Sequence, residues 1–235
     1  MEMNLTHAYI HLLKRVVGSP GCRAENIKLQ HIKPEFIRIR EIEHLSYLLI
    51  DRKARNIFSA YYKPVLNKLV RGEVVLRGTC VESIRYDGVL EVNFKRARIF
   101  PTVYCDFIAL SMLSQELKAS YLDLNFRSLR GDASAPYIKA VIDVLGITSV
   151  HPDCEKTIER ITKMYYNIVK LKELPRIGHL LKLSAFYFAH VKKLITREEA
   201  RALYYYLRYE NKLDLRPSQG WERGREVYLK LLSRI

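Results

Sequence analysis

Apolar positions along the first half of the chain recur at two different periods. In NLTHAYIHLLKRVV, Leu5, Ala8, Tyr9, Leu12, Leu13 and Val16 fall at helical spacing, and Gly18-Ser19-Pro20-Gly21 ends the run; the pattern predicts an amphipathic helix followed by a loop. FIRIREI, residues 36–42, alternates apolar and charged residues and predicts a short strand, after which EHLSYLLIDRKARNIFSAYY returns to a helical period up to Pro64. The clearest local signal is VVLRGTCVESIRYDGVLEVNFKRARIF, residues 74–100, where Asp87-Gly88 separates two β-rich runs. Asp-Gly favours a two-residue hairpin turn, which sets Tyr86 opposite Val89, Val81 opposite Phe94, Ser83 opposite Val92 and Arg85 opposite Leu90.

Beyond Pro101 helical signals take over. Asp106 is expected to cap a helix through about Ser120; Ser134, with Pro136 in its first turn, starts another that stops at Gly146; Pro152-Asp153 opens a long amphipathic helix that ends before Pro175. Residues 176–193, a helix begun by the Thr196-Arg-Glu-Glu199 capping box, and Ser218–Arg234 complete the chain. The expected fold class is therefore α+β: a mixed N-terminal region with a β-hairpin sheet and helices, residues 1–133, followed by an all-α region, residues 134–235.

Composition changes the picture in one respect. Across 235 residues, 49% of them apolar, Lys and Arg number 40 against 25 Asp and Glu, a net charge of +15. An apolar fraction of that size builds an ordinary core. The charge exceeds the roughly 2 to 8 that keeps a small domain soluble. It is shared between residues 1–130, net +8, and residues 131–235, net +7, so it belongs to the folded body rather than to a tail. A basic body favours a polyanion, nucleic acid before a membrane surface, because no basic amphipathic anchor and no long apolar run is present. Few Gln, sixteen Tyr and more Arg than Lys are the bias of a thermophile, of archaeal or viral origin. Cys22, Cys80, Cys105 and Cys154 lie far apart with no metal or redox spacing, and with no recognisable signal segment the expectation is a cytoplasmic protein with buried free thiols, binding no metal or cofactor.

Two groups of cations are the candidate nucleic-acid contacts. Arg85, Lys95, Arg96 and Arg98 lie on or just beyond the hairpin, where cations can follow a phosphate backbone as β-ribbon readers do. Lys192, Lys193, Arg197 and Arg201 flank the turn that Leu194 and Ile195 form before the capping box, in the outline of a helix-turn-helix. Arg52-Lys53-Ala-Arg55 reads as a solvated helix face. Asp87, Glu91 and Lys95 carry the residue types of a metal-dependent nuclease but not its spacing, so no catalytic residue is assigned and the enzymatic question stays open.

In length, basicity and α/β mixture the chain resembles monomeric homing endonucleases, but HLSYLLIDRKARN, residues 44–56, has no glycine-acid-glycine ending and no second copy, so the carboxylates of that activity are missing. LPRIGHLLKLSAFYFAHVKKLITREEARALYYYL, residues 174–207, resembles the helical module of archaeal primase large subunits without their cluster-binding cysteines. The expected function is a non-catalytic nucleic-acid-binding protein. The alternatives are a nucleic-acid-processing enzyme or primase-associated subunit, and a nucleocapsid or ribonucleoprotein component with a protein partner.

Overall fold

The computed structural model describes residues 2–39, 42, 47–69, 72–132, 135–170, 195, 196, 198, 199, 202, 203, 206 and 221–234. The chain divides into two compact units, Met1–Ser134 with Ile142–Thr157, and Ala135–Val141 with Ile158–Ile235.

Helix α1 (Leu5–Val17) forms where the periodicity places it. The Asn4 side chain accepts from the His7 N–H, and Leu5, Ala8, Tyr9, Leu12, Leu13, Val16 and Val17 are its buried stripe. The chain after α1 is more than the expected loop. Strand β1 (Arg23–Ile32) comes next, and the period-2 signal is broken because Asn26 and His31 adopt left-handed backbone at φ +51° and +56°. Of the strand expected at 36–42, residues 36–39 are irregular and residues 40 and 41 lie outside the described residues; Ile39 N–H donates to the Tyr104 hydroxyl at 2.9 Å.

Helix α2 (Tyr47–Ile57) continues through a wide turn, Phe58–Tyr62, and is followed by strand β2 (Val74–Val75) and the hairpin β3 (Val81–Tyr86) and β4 (Val89–Arg98). Helix α3 (Tyr104–Leu117) then carries the chain across to β5 (Tyr121–Arg130). Asp106 does not cap α3. It lies inside the first turn, where it is 1% exposed, and Val103 occupies the cap with no side-chain bond.

The strands form one mixed sheet in the order β1-β5-β4-β3-β2, with β4 and β5 parallel and the other pairs antiparallel. The five-stranded sheet with its helices makes the fold α+β. The apolar face is closed by the two helices: Tyr9 of α1 packs edge-on to Tyr104 of α3 at 5.0 Å, Phe107 reaches Phe126 at 6.4 Å, and Phe94 stacks on Phe126 at 4.3 Å.

The hairpin register differs from the expectation by one residue. Tyr86 pairs with Leu90, Arg85 with Glu91, Ile84 with Val92 and Ser83 with Asn93; an irregularity at Glu82 restores Val81 to Phe94. The loop therefore has three residues, Asp87, Gly88 and Val89, with Gly88 at φ +95°. A one-residue slip exchanges the faces of the sheet. The exchange turns over β3 alone: it seats Ile84 beside Val92 in the core and turns Arg85 outward, whereas the two-residue turn puts Arg85 on the apolar face.

Cys22 and Cys154 form a disulfide, correcting the expectation of free thiols for that pair; Cys80 and Cys105 are not bridged. The bridge ties the start of β1 to the first turn of α5 (Pro152–Lys170), within the first unit. Helix α4 (Ala135–Leu145) ends at Gly146, φ +60°, as its sequence predicts. In the second unit the capping box is present: Thr196 N–H donates to Glu199 at 2.7 Å and Glu199 N–H to the Thr196 hydroxyl at 3.2 Å. Helix α6 (Trp221–Arg234) stacks Tyr228 on Tyr206 at 5.6 Å. Gly224 permits that approach, because a Cβ there would overlap the Ala202 carbonyl oxygen. Among the described residues no helix is long and apolar enough to cross a membrane.

Candidate nucleic-acid interface

The face of the sheet opposite α1 and α3 is polar. Its side chains fall into rows because cross-strand partners share a face. One row runs Arg23, Arg130, Arg98 over β1, β5 and β4; the next runs Glu25, Ser128, Arg96. Further along, Lys28, Asn125, Asn93 and Ser83 cross four strands, and beyond them Asp123, Glu91 and Arg85 cross three.

Both central strands step out of phase at the same level. After the buried Phe94 and Phe126 the next buried residues are Ala97 and Leu129, so Lys95-Arg96 and Arg127-Ser128 are consecutive accessible pairs. That step brings Arg127 beside Arg23, Arg96 and Arg130, and the four arginines line a hollow of about 320 Å³ that also takes in Glu25 and Asn26. Asp132 steadies two of them, accepting from Arg130 at 2.9 Å and lying 3.6 Å from Arg23. Among the described residues the buried Arg130 Nε atom has no hydrogen-bond partner. Planar guanidiniums sharing one hollow suit bidentate binding of phosphate oxygens.

The four hairpin cations are thus sorted rather than gathered. Arg96 joins the hollow. Arg98 extends its outer row and, with Lys95, acts electrostatically on Cys80. Arg85 is spent on its own hairpin, 3.4 Å from Glu91 and 3.7 Å from Asp87. Lys192, Lys193, Arg197 and Arg201 lie outside the described residues. Arg23, Arg127 and Arg130 are not among the contacts that the sequence singles out. The alternation Leu122, Leu124, Phe126 in β5 was the signal that could have located Arg127 and Arg130; nothing comparable marked Arg23.

A second group of ionisable residues lies under the helices. Burial pushes the Asp106 carboxyl up to about 7, against the pull of the Lys53 ammonium and of the Tyr62 hydroxyl 3.5 Å away. Its second oxygen is buried and has no hydrogen-bond partner among the described residues. Lys53, expected on a solvated face, is partly buried and donates to the Thr102 hydroxyl at 3.2 Å. Cys80 is held above the ordinary thiol value by burial and by Asp106, with Lys53, Arg98 and Lys95 opposing. A thiol shifted that way is a poor nucleophile.

Compared with known proteins, the chain matches no protein-family model and no curated protein.

Proposed function

We propose that the protein binds nucleic acid through the open face of its sheet, with phosphates at the hollow lined by Arg23, Arg96, Arg127 and Arg130, and that it performs no chemistry of its own on the bound strand. The convergence of those four guanidiniums carries the reading. The chain-wide excess of +15 supplies the long-range attraction. The carboxylates that would serve a metal-dependent nuclease, Asp87 and Glu91, are engaged by Arg85, and Glu91 also accepts from Asn125 at 3.3 Å.

The C-terminal half is, on this reading, an all-α region whose cations Lys192, Lys193, Arg197 and Arg201 add to the contact. The protein works in the cytoplasm of a thermophilic archaeon or in a virus of one. The Cys22–Cys154 disulfide agrees with that setting, because intracellular disulfides are rare in mesophiles and common in hyperthermophiles.

Phosphate contacts make affinity salt-dependent. Four neutralised phosphates give a slope of log K against log salt of about −3 to −4. Anisotropy titrations of labelled DNA and RNA across a salt series measure it. The double variant Arg96→Ala/Arg127→Ala is expected to flatten the slope by about 2, one per lost contact, on every sequence tested. Binding indifferent to salt, or no binding, rejects the proposal.

A further inference from the structure

The open face is electrically lopsided. The four-arginine hollow is continuous with a second one of about 470 Å³, the two sharing Asn26 and Arg127 in their linings. That second hollow has a different chemistry. Glu73 and Glu82 stand at its far end, and its floor is a ladder of amides across the parallel strands: Asn125 donates to Asn93 at 2.9 Å, and Asn93 donates to the Ser83 hydroxyl at 3.1 Å. Among the described residues the ladder leaves the Asn125 carbonyl oxygen and the second Asn93 N–H open. The open acceptor on Asn125 and the open donor on Asn93 stand at the two ends of the bonded amide pair, where each can meet a complementary group on a nucleobase edge, and a carboxylate accepts from an exocyclic amine.

We infer that this groove takes one unpaired nucleotide of a single strand, set across it, with the phosphate at the arginines and the base over Asn93 and Asn125. The inference rests on the nucleic-acid reading above and adds which form of nucleic acid the site admits. Lys28, paired with Asn125, is the one cation that the second hollow adds to the shared Arg127, and Glu73 and Glu82 repel phosphate at the end where the arginines are absent, which disfavours a polyanion running the length of the groove. A duplex base edge lowered onto the amides carries a phosphate backbone on each side, one toward the arginines and one toward the carboxylates. A single strand brings only the first. The spacing agrees: Asn125 and Ser128 are three residues apart on β5, about 10 Å at 3.3 Å per residue, a span a nucleotide covers from phosphate to base edge.

The test compares a short labelled single strand, the duplex of the same sequence and inorganic polyphosphate, at one salt concentration, on the full chain. The single strand is expected to bind at least about tenfold tighter than the duplex. Asn125→Ala is expected to weaken the single strand by about tenfold, the scale of one lost base contact, and to leave polyphosphate unchanged. Arg127→Ala is expected to weaken both. Thermal melting verifies that each variant is folded, and Asn93→Ala carries the same comparison if Asn125→Ala is not. A duplex bound as tightly as the single strand, or folded amide variants that bind the single strand normally, overturns the inference and leaves the nucleic-acid reading intact. Loss of salt-sensitive binding to both nucleic acids overturns the two together.

Discussion

On the covered face of the sheet Phe94 lies against Phe126 at 4.3 Å; one residue back on the open face, Asn93 and Asn125 meet at 2.9 Å through an amide hydrogen bond. The same two parallel strands in the same register thus hold a stacked aromatic pair on one side and a polar ladder on the other. Their energetic weights differ. The aromatic pair excludes water from a surface that α1 and α3 cover, so removing it costs folding energy. The amides and arginines exchange one set of hydrogen bonds for water, so removing them costs little folding and mostly recognition. Stability and binding are therefore expected to separate by face.

The largest effect should come from the covered face. Phe126 is 2% exposed, and Phe126→Ala deletes a ring contacting both Phe94 and Phe107. The loss is expected to be about 3 to 5 kcal/mol of unfolding free energy. Denaturant titration measures it; a cost under about 1 kcal/mol would mean that the covered face is not the core.

Asp106 is the exception on the covered side, a carboxyl in an apolar setting, and it sharpens the comparison through pH. Its folded value of about 7 lies above the ordinary 3.8 of the unfolded chain. Below about pH 4 both states hold the proton and the residue costs nothing. As pH rises toward 7 the unfolded chain ionises freely while the folded one resists, so stability falls, by a few kcal/mol in all at about 1.4 kcal/mol per pH unit. Above 7 the penalty is constant. Asp106→Asn keeps the shape without the charge, so the variant should match the parent near pH 4 and exceed it at pH 8. Parallel melting curves for the two proteins across that range would sink the prediction.

How much of this the sequence disclosed depends on whether a signal was local. The helix α1, the capping box at Thr196 and Glu199, the end of α4 at Gly146 and the hairpin itself all rest on residues within a few positions of one another, and each forms as read. The register failed because Asp87-Gly88 fits a two-residue or a three-residue loop equally, and the choice is made by whether Ile84 or Arg85 faces the core. Strand β1 was hidden by the left-handed Asn26 and His31, and the disulfide joins cysteines separated by 132 positions. The arginine hollow was illegible for a related reason. Arg23 and Arg130 meet only because β1 pairs antiparallel with β5, and Arg96 joins them only because β4 runs parallel to it.

The smallest expected effect belongs to a cation that the sequence placed in the interface. Arg85 is half exposed and faces both Asp87 and Glu91, so its charge is already met by two carboxylates. It also sits beyond the amide row, at the end of the open face where Asp123 and Glu91 outnumber the cations. Exposed pairs of this kind contribute about 0 to 1 kcal/mol, so Arg85→Ala should change stability by less than about 1 kcal/mol. Its effect on nucleic-acid affinity should be far below that of Arg96→Ala on the same hairpin. Side-by-side anisotropy titrations of the two variants decide it. If Arg85→Ala weakens binding as much as Arg96→Ala, phosphate reaches past the amide row and the division between the arginine rows and the Asp123–Glu91 row fails.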